Sequence, residues 1–388
     1  MITILTNIFF KGKDINSIDN RKFYGSMCGI LGICLNIFLF FIKYFAGVIS
    51  GSVAIVADAF NNLADAGSSF ITLIGFVFAG KKPDPEHPFG HGRFEYVSGF
   101  VVSLLIMLMG IELLQSSAEK IFHPDGIDGS MTAILVLMVS VLIKLYMAFY
   151  NARVGRKIAS SAMKATAIDS LSDSIATTVV LVSVIFMKLT GINIDGYCGV
   201  VVALFILYGG FSAAKDTISP LLGQSTDPEF VKKVEEMVLA HDEVCGIHDL
   251  IVHDYGPGRV MISLHAEVKG DGNIFELHDA IDRIEQEISE KLFCEAVIHL
   301  DPVETNNDVI NEVKAQVLNK LKELNEKVSI HDFRMVTGST HTNLIFDMVA
   351  PYEMEESKEE IKEMVENKIK ELGKEYCVVV HIDRSYIK

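Results

Sequence analysis

Three carboxylates and a carboxamide interrupt stretches that are otherwise apolar enough to lie in a lipid bilayer. "AFNNLADAGSS" (59–69) carries Asn61 and Asp65, and "AIDSLSDSIATT" (167–178) carries Asp169 and Asp173. The members of each pair are four residues apart, so on a helix they share a face. A carboxylate at bilayer depth costs at least ~2.5–3.5 kcal/mol, so such groups normally face a cavity, a partner or an ion. Two helices packed with these pairs facing each other make a four-cornered oxygen cage suited to a divalent cation. Clustered carboxylates repel one another and must be neutralised by metal or by protons, which therefore compete for the same oxygens. Asp58, one turn before Asn62, is a rival ligand. The blander alternative is that these are helix-packing polar groups, with small neighbours such as Ala64, Gly67, Ser68 and Ser69 favouring close contact. It accounts for a single Asn better than for three carboxylates in two matched pairs.

Two further groups have ligand chemistry. In the loop "KKPDPEHPFGHGRFE" (81–95), His87 and His91 are four apart and Asp84 lies three before His87. Imidazole with carboxylate suits a transition metal, and Pro83, Pro85, Pro88, Gly90 and Gly92 rule out a helix and constrain the loop. Further on, His248, His265, His278, His299 and Asp301 are spread over four expected elements. Spacing alone places only His299 and Asp301, two apart on a strand, on one face.

The elements that carry these residues divide the chain in two. Residues 1–219 hold 16 Lys+Arg against 15 Asp+Glu, and residues 220–388 hold 18 against 35, so the net charge of −16 belongs to the second half. An acidic surface of this kind excludes nucleic acid as a partner. Apolar runs at roughly 26–49, 53–79, 97–118, 131–151, 165–188 and 197–218 are long enough to span a bilayer. The preceding segment is too polar for the apolar part of a signal peptide and reads as a cytoplasmic tail, 1–24. Lys11, Lys13, Arg21, Lys22, Lys81, Lys82, Arg93, Arg153, Arg156, Lys157 and Lys164 all flank the same ends of the spans, against Lys120 and Lys188 at the other. That bias places both termini in the cytoplasm. The six cysteines form no CxxC pair, so neither a disulfide framework nor a thiolate metal site is expected.

The acidic half repeats itself. "GIHDLIVHDYGPGRVMISLHAEV" (246–268) is answered by "SIHDFRMVTGSTHTNLIFDMVAP" (329–351), and "EAVIHLDPV" (295–303) by "CVVVHIDRSY" (377–386). Each copy reads as helix, strand, turn, strand, helix, strand, with charged amphipathic helices. The expected fold is a six-helix transmembrane bundle (25–222) followed by two tandem α+β ferredoxin-like cytoplasmic domains, 223–303 and 304–388.

The ordered set "NNLADAGSS", "HPFGHGR", "DSLSD", "IHDL", "ISLHAE" and "VIHLDP" resembles the cation diffusion facilitator family over roughly residues 25–303. The resemblance implies a homodimer, joined through its cytoplasmic and transmembrane domains, that exports a divalent metal across the plasma membrane in exchange for protons. It implies a transport site at Asn61, Asp65, Asp169 and Asp173, in preference to Asp58 and Asn62. Asp84, His87 and His91 map to a loop site of the family, and His248, His265, His278, His299 and Asp301 to the metal positions of its cytoplasmic domain. Zinc-transporting relatives usually carry histidine where this chain has Asn61 or Asp169, so the set resembles the manganese-exporting branch. An all-oxygen shell agrees with Mn²⁺, although Zn²⁺ stays ahead in intrinsic affinity and Fe²⁺ has similar preferences. The chain departs from the family beyond residue 303, where most members stop. Its second copy keeps His331, Asp332, His381 and Asp383 but has no histidine equivalent to His265, so it is expected to pack or dimerise rather than bind the same metals.

No catalytic residue or resident cofactor is expected. Two readings of other classes are a metal receptor that does not transport and an intramembrane prenyltransferase, which also uses NxxxD and DxxxD pairs to hold Mg²⁺ and a diphosphate. The enzyme would need Arg, Lys or Tyr beside the Asp pairs, and spans two and five supply none.

Overall fold

A computed structural model describes residues 18–50, 53–122, 131–190, 194–303, 307–338, 340–373 and 375–384. Residues 1–17, which hold most of the expected N-terminal tail, lie outside the described residues. Its contacts divide the chain into two units, Met1–Gln224 with Asp254–Arg259, and Ser225–His253 with Val260–Lys388.

Among the described residues, the first unit contains six helices: α1 (Ile18–Ser50), α2 (Val53–Ala79), α3 (Phe94–Phe122), α4 (Met131–Lys157), α5 (Ser161–Thr190) and α6 (Asp195–Ile218). All six are long and apolar enough to cross a membrane, as the hydropathy pattern predicts. Their large apolar side chains are largely exposed, Phe38, Phe41, Leu142, Tyr208 and Phe211 among them. The buried set is rich in small and polar residues, including Ala162, Ala165, Ser103 and Ser170. That inversion suits a bundle whose solvent is lipid, where small residues let helices approach and polar ones bond across.

Helix α1 shows how. A Cβ at Gly29 would stand 2.8 Å from the Leu73 Cβ and 3.1 Å from its Cα, and one at Gly32 would stand 2.7 Å from Ser69 Oγ. The glycines therefore bring α1 against the face of α2 next to Asp65. At the bundle's edge Arg21 of α1 donates from Nη2 to both oxygens of Glu95 on α3, at 3.0 and 3.2 Å, and from Nη1 to the Ile158 carbonyl after α4. Both partners are buried, Arg21 at 7% exposure and Glu95 at 2%. One ion pair thus ties three segments together. Helices α2 and α5, which carry the Asn–Asp and Asp–Asp pairs, are linked by the Thr72 and Thr166 hydroxyls at 2.9 Å.

The second unit is built from helix α7 (Pro228–Val238), strands β1 (Val244–Asp254) and β2 (Val260–Lys269), helix α8 (Ile274–Leu292) and strand β3 (Cys294–Val303). The same order then recurs in α9 (Asp308–Lys322), β4 (Ser329–Thr337), β5 (Thr342–Ala350), α10 (Lys358–Lys370) and β6 (Tyr376–Arg384). Each helix opens on a capping side chain: Asp227, Asn273, Asn307 and Ser357, the last in a reciprocal capping box with Glu360. Each copy has a three-stranded sheet, ordered β1-β2-β3 and β4-β5-β6, with its last two strands parallel. The order of elements is the one read from the sequence repeat. Alternate residues of the middle strands enter the two cores, Ile262, Leu264 and Ala266 in one and Leu344, Phe346, Met348 and Ala350 in the other. His265 and Asp347, lying between core residues, occupy the opposite face of their sheets.

Glu95→Ala leaves the Arg21 guanidinium buried and uncompensated, which should destabilise the first unit by about 3–5 kcal/mol. The expected readout is a lower thermal midpoint of the detergent-purified protein; an unchanged midpoint would show that the ion pair does not hold the bundle.

Candidate metal centres

Asp65 on α2 and Asp169 on α5 are buried at 5% and 4% exposure, and Asp173 lies one turn beyond Asp169. The structure brings the three carboxylates together, around a residue that the sequence reading missed. Lys144 of α4, 3% exposed, donates from Nζ to Asp65 Oδ2 and to Asp173 Oδ2, each at 2.6 Å. The same ammonium lies in the electrostatic field of Asp169, whose Oδ1 is buried without a hydrogen-bond partner among the described residues. The signal was available: Lys144 is a lone ionisable residue in an apolar run, which at membrane depth marks a function by default.

The fourth expected ligand behaves differently. Asn61 is exposed, whereas Asn62 is buried and donates to the Asp58 carbonyl at 2.9 Å. The rival ligand Asp58 is engaged elsewhere, its Oδ2 lying 2.8 Å from Nζ of the buried Lys43. Both carboxylate positions of α2 therefore have a lysine from a neighbouring helix, and Asp65 shares its own with α5.

In the loop, Asp84, His87 and His91 come together as their spacing implies, each offering a ligand atom within 4.8 Å of the others. Asp84 Oδ1 closes an Asx turn, accepting from the backbone N–H of Glu86 (3.1 Å) and His87 (2.8 Å). The His87 N–H in particular holds the Asp84 carboxyl below its ordinary range. Asp84 Oδ2 lies 3.4 Å from Nε2 of the buried His91, whose Nδ1 has no partner among the described residues.

In the second unit, His265 and His299 are register partners on β2 and β3, and Asp301 lies two residues beyond His299. Asp301 Oδ2 is 2.7 Å from His265 Nδ1 and 3.3 Å from His248 Nε2, and its Oδ1 is 3.3 Å from His299 Nε2. Four of the five predicted positions thus come together, three histidines around the carboxylate of Asp301. The fifth, His278 on α8, does not join them; it is exposed, with Nδ1 3.4 Å from Asp282. Asp249, which the sequence reading passed over, adds a further oxygen to the cluster through His248 and His265.

Residues 29–222 match the family profile described as the cation efflux transmembrane domain, and residues 226–303 that of the cation efflux protein cytoplasmic domain. The chain is 31% identical over 276 residues to an uncharacterized transporter of Methanocaldococcus jannaschii, covering 71% of this chain and 97% of that protein. It is 27% identical over 283 residues to the manganese efflux system protein MneS of Bacillus subtilis, covering 72% and 96%. Similarity to the cation-efflux pump FieF of Klebsiella pneumoniae is 25% over 265 residues, covering 68% and 88%.

Lys144→Met removes the only charge that bonds both Asp65 and Asp173 among the described residues. Breaking one side of such a buried network should cost about 3–5 kcal/mol in metal-free buffer. Millimolar Mn²⁺ should restore most of the lost thermal midpoint if lysine and metal neutralise the same oxygens. A variant that Mn²⁺ leaves as unstable as before would separate the lysine from the cation site.

Proposed function

Because the chain belongs to the cation diffusion facilitator family, whose members are cation efflux transporters and not enzymes, we propose that it is a Mn²⁺/H⁺ antiporter working by alternating access. The observation that carries this reading is the clustering of buried Asp65 and Asp169 with half-buried Asp173 about the Lys144 ammonium. When all four groups are ionised, three carboxylates and one lysine leave a deficit of two positive charges. One divalent cation, or two protons, supplies it. Exchange of metal for protons at these oxygens is then a substitution between two ways of neutralising one site.

The ligand set favours Mn²⁺ as substrate because, among the described residues, it brings no imidazole or thiolate to Asp65, Asp169 and Asp173. Zn²⁺ gains most from such ligands, while Mn²⁺ accepts oxygen alone; Fe²⁺ is the nearest competitor. The similarity to a manganese efflux protein supports the same choice. Asn61 is assigned a neutral carbonyl oxygen facing the cation in the transporting state. In this reading both termini are cytoplasmic, the protein is a homodimer of the plasma membrane, and the two αββαβ copies are tandem ferredoxin-like domains on the cytoplasmic side. The enzyme alternative no longer turns on charge, since Lys144 does place a cation beside the aspartates; family membership excludes it.

Reconstituted protein should carry Mn²⁺ against an imposed pH gradient, and Asp173→Ala should abolish that flux. Asn61→His should move the ratio of Zn²⁺ to Mn²⁺ flux about tenfold toward zinc, equivalent to roughly 1.4 kcal/mol of ligand preference. Zn²⁺ flux with no Mn²⁺ flux in the parent would overturn the oxygen-shell argument, and an unchanged ratio in the variant would remove Asn61 from the site.

A further inference from the structure

The second copy was expected to pack or dimerise rather than bind the same metals, because no histidine stands where His265 does. The register identifies the residue that stands there instead. His265 pairs with His299 on the parallel strands β2 and β3, and Asp347 pairs with His381 on β5 and β6. Asp347 therefore occupies the His265 position, and Asp383 follows His381 as Asp301 follows His299. Asp347, His381 and Asp383 each offer a ligand atom within 4.8 Å of the others, and His381 Nδ1 is 3.0 Å from Asp383 Oδ2.

His331 supplies the independent observation. It is the antiparallel register partner of Asp347 on β4, so its side chain shares the face that carries Asp347. It is 5% exposed, and neither ring nitrogen makes a hydrogen bond among the described residues. A buried imidazole with both nitrogens unsatisfied costs free energy unless something binds them. Its ring lies on that of His248 at 4.1 Å and 18°, and His248 is equally without hydrogen bonds. The two rows of side chains meet at this stack. Asp249 of the first copy reaches within 3.6 Å of His331 Nε2, and Asp332 of the second copy groups with His248 and Asp301. Each copy thus lends its aspartate to the other, as the halves of an isologous dimer would.

We propose that the second copy holds a divalent cation on Asp347, His381 and Asp383 beside His331, forming with the His248–His265–His299–Asp301 cluster a paired metal centre within one chain. Replacing one imidazole by carboxylate makes the second site the harder of the two. It should prefer Mn²⁺ relative to its neighbour, which has three imidazoles around Asp301. This assignment does not depend on which cation crosses the membrane.

The test is a count of Mn²⁺ bound to full-length detergent-purified protein by equilibrium dialysis and electron paramagnetic resonance. It is made in an Asp173→Ala background so that the transport site does not contribute. Adding Asp347→Ala and Asp383→Ala should remove one Mn²⁺ per chain, whereas His265→Ala and His299→Ala should leave that ion bound. Asp347→His should keep the count but shift competition toward Zn²⁺ by tenfold or more. The near-isosteric Asp383→Asn and the polar His381→Gln changes must show the same loss if the alanine variant does not run as a folded species. A Mn²⁺ count unaltered by these changes, or a Zn²⁺/Mn²⁺ preference unmoved by Asp347→His, would overturn the proposal.

Discussion

Everything in the membrane unit is arranged around the cost of keeping carboxylates at bilayer depth. Asp65 and Asp173 share one ammonium, and no second one among the described residues bonds Asp169. Lipid offers nothing to complete the neutralisation, so the bundle must hold these helices close while leaving the site short of positive charge. A fully compensated cluster would be a structural salt-bridge network with no appetite for a cation. A cluster with no lysine would carry three mutually repelling charges and would not stay packed. One lysine among three aspartates lies between those limits.

Closeness is secured by side chains that are small or absent. Gly29 and Gly32 seat α1 against α2, the hydroxyls of Thr72 and Thr166 join α2 to α5, and Arg21 binds Glu95 where α1, α3 and the end of α4 meet. Van der Waals contact and buried hydrogen bonds replace the hydrophobic effect that would drive such packing in water. The second unit follows the opposite rule. Its helices bury Val, Ile and Leu against three-stranded sheets, and their caps satisfy the ends that face solvent.

Span number, the helix–strand order of both copies and the convergence of Asp84, His87 and His91 were legible because each rests on local periodicity or short spacing. Lys144 was not, since its role comes from a third helix and no spacing relates residue 144 to residues 65 and 173. His278 has the right residue type and a family precedent, yet α8 presents it to solvent. Asn61 and Asn62 show the limit of pattern: adjacent, identical in type, and separated only by which face of α2 the neighbours cover. Asp347 was not legible because its equivalence to His265 comes from strand register, and the two residue types differ although carboxylate and imidazole both suit metals.

The match between the two copies extends to backbone that local preference does not favour. Asp249 and Asp332, each directly after the stacked histidine, have φ of 50° and 52°, the left-handed region. Aspartate tolerates this better than most residues, but the conformation persists only where the surroundings impose it. In β4 it coincides with a register shift between His331 and Arg334. The shift turns one aspartate out of the strand's alternation and toward the other copy. Two sheets that merely packed their polar faces would gain nothing from it. Two sheets that exchange carboxylates across a histidine stack need that turn at the residue after the histidine, and both copies have it there.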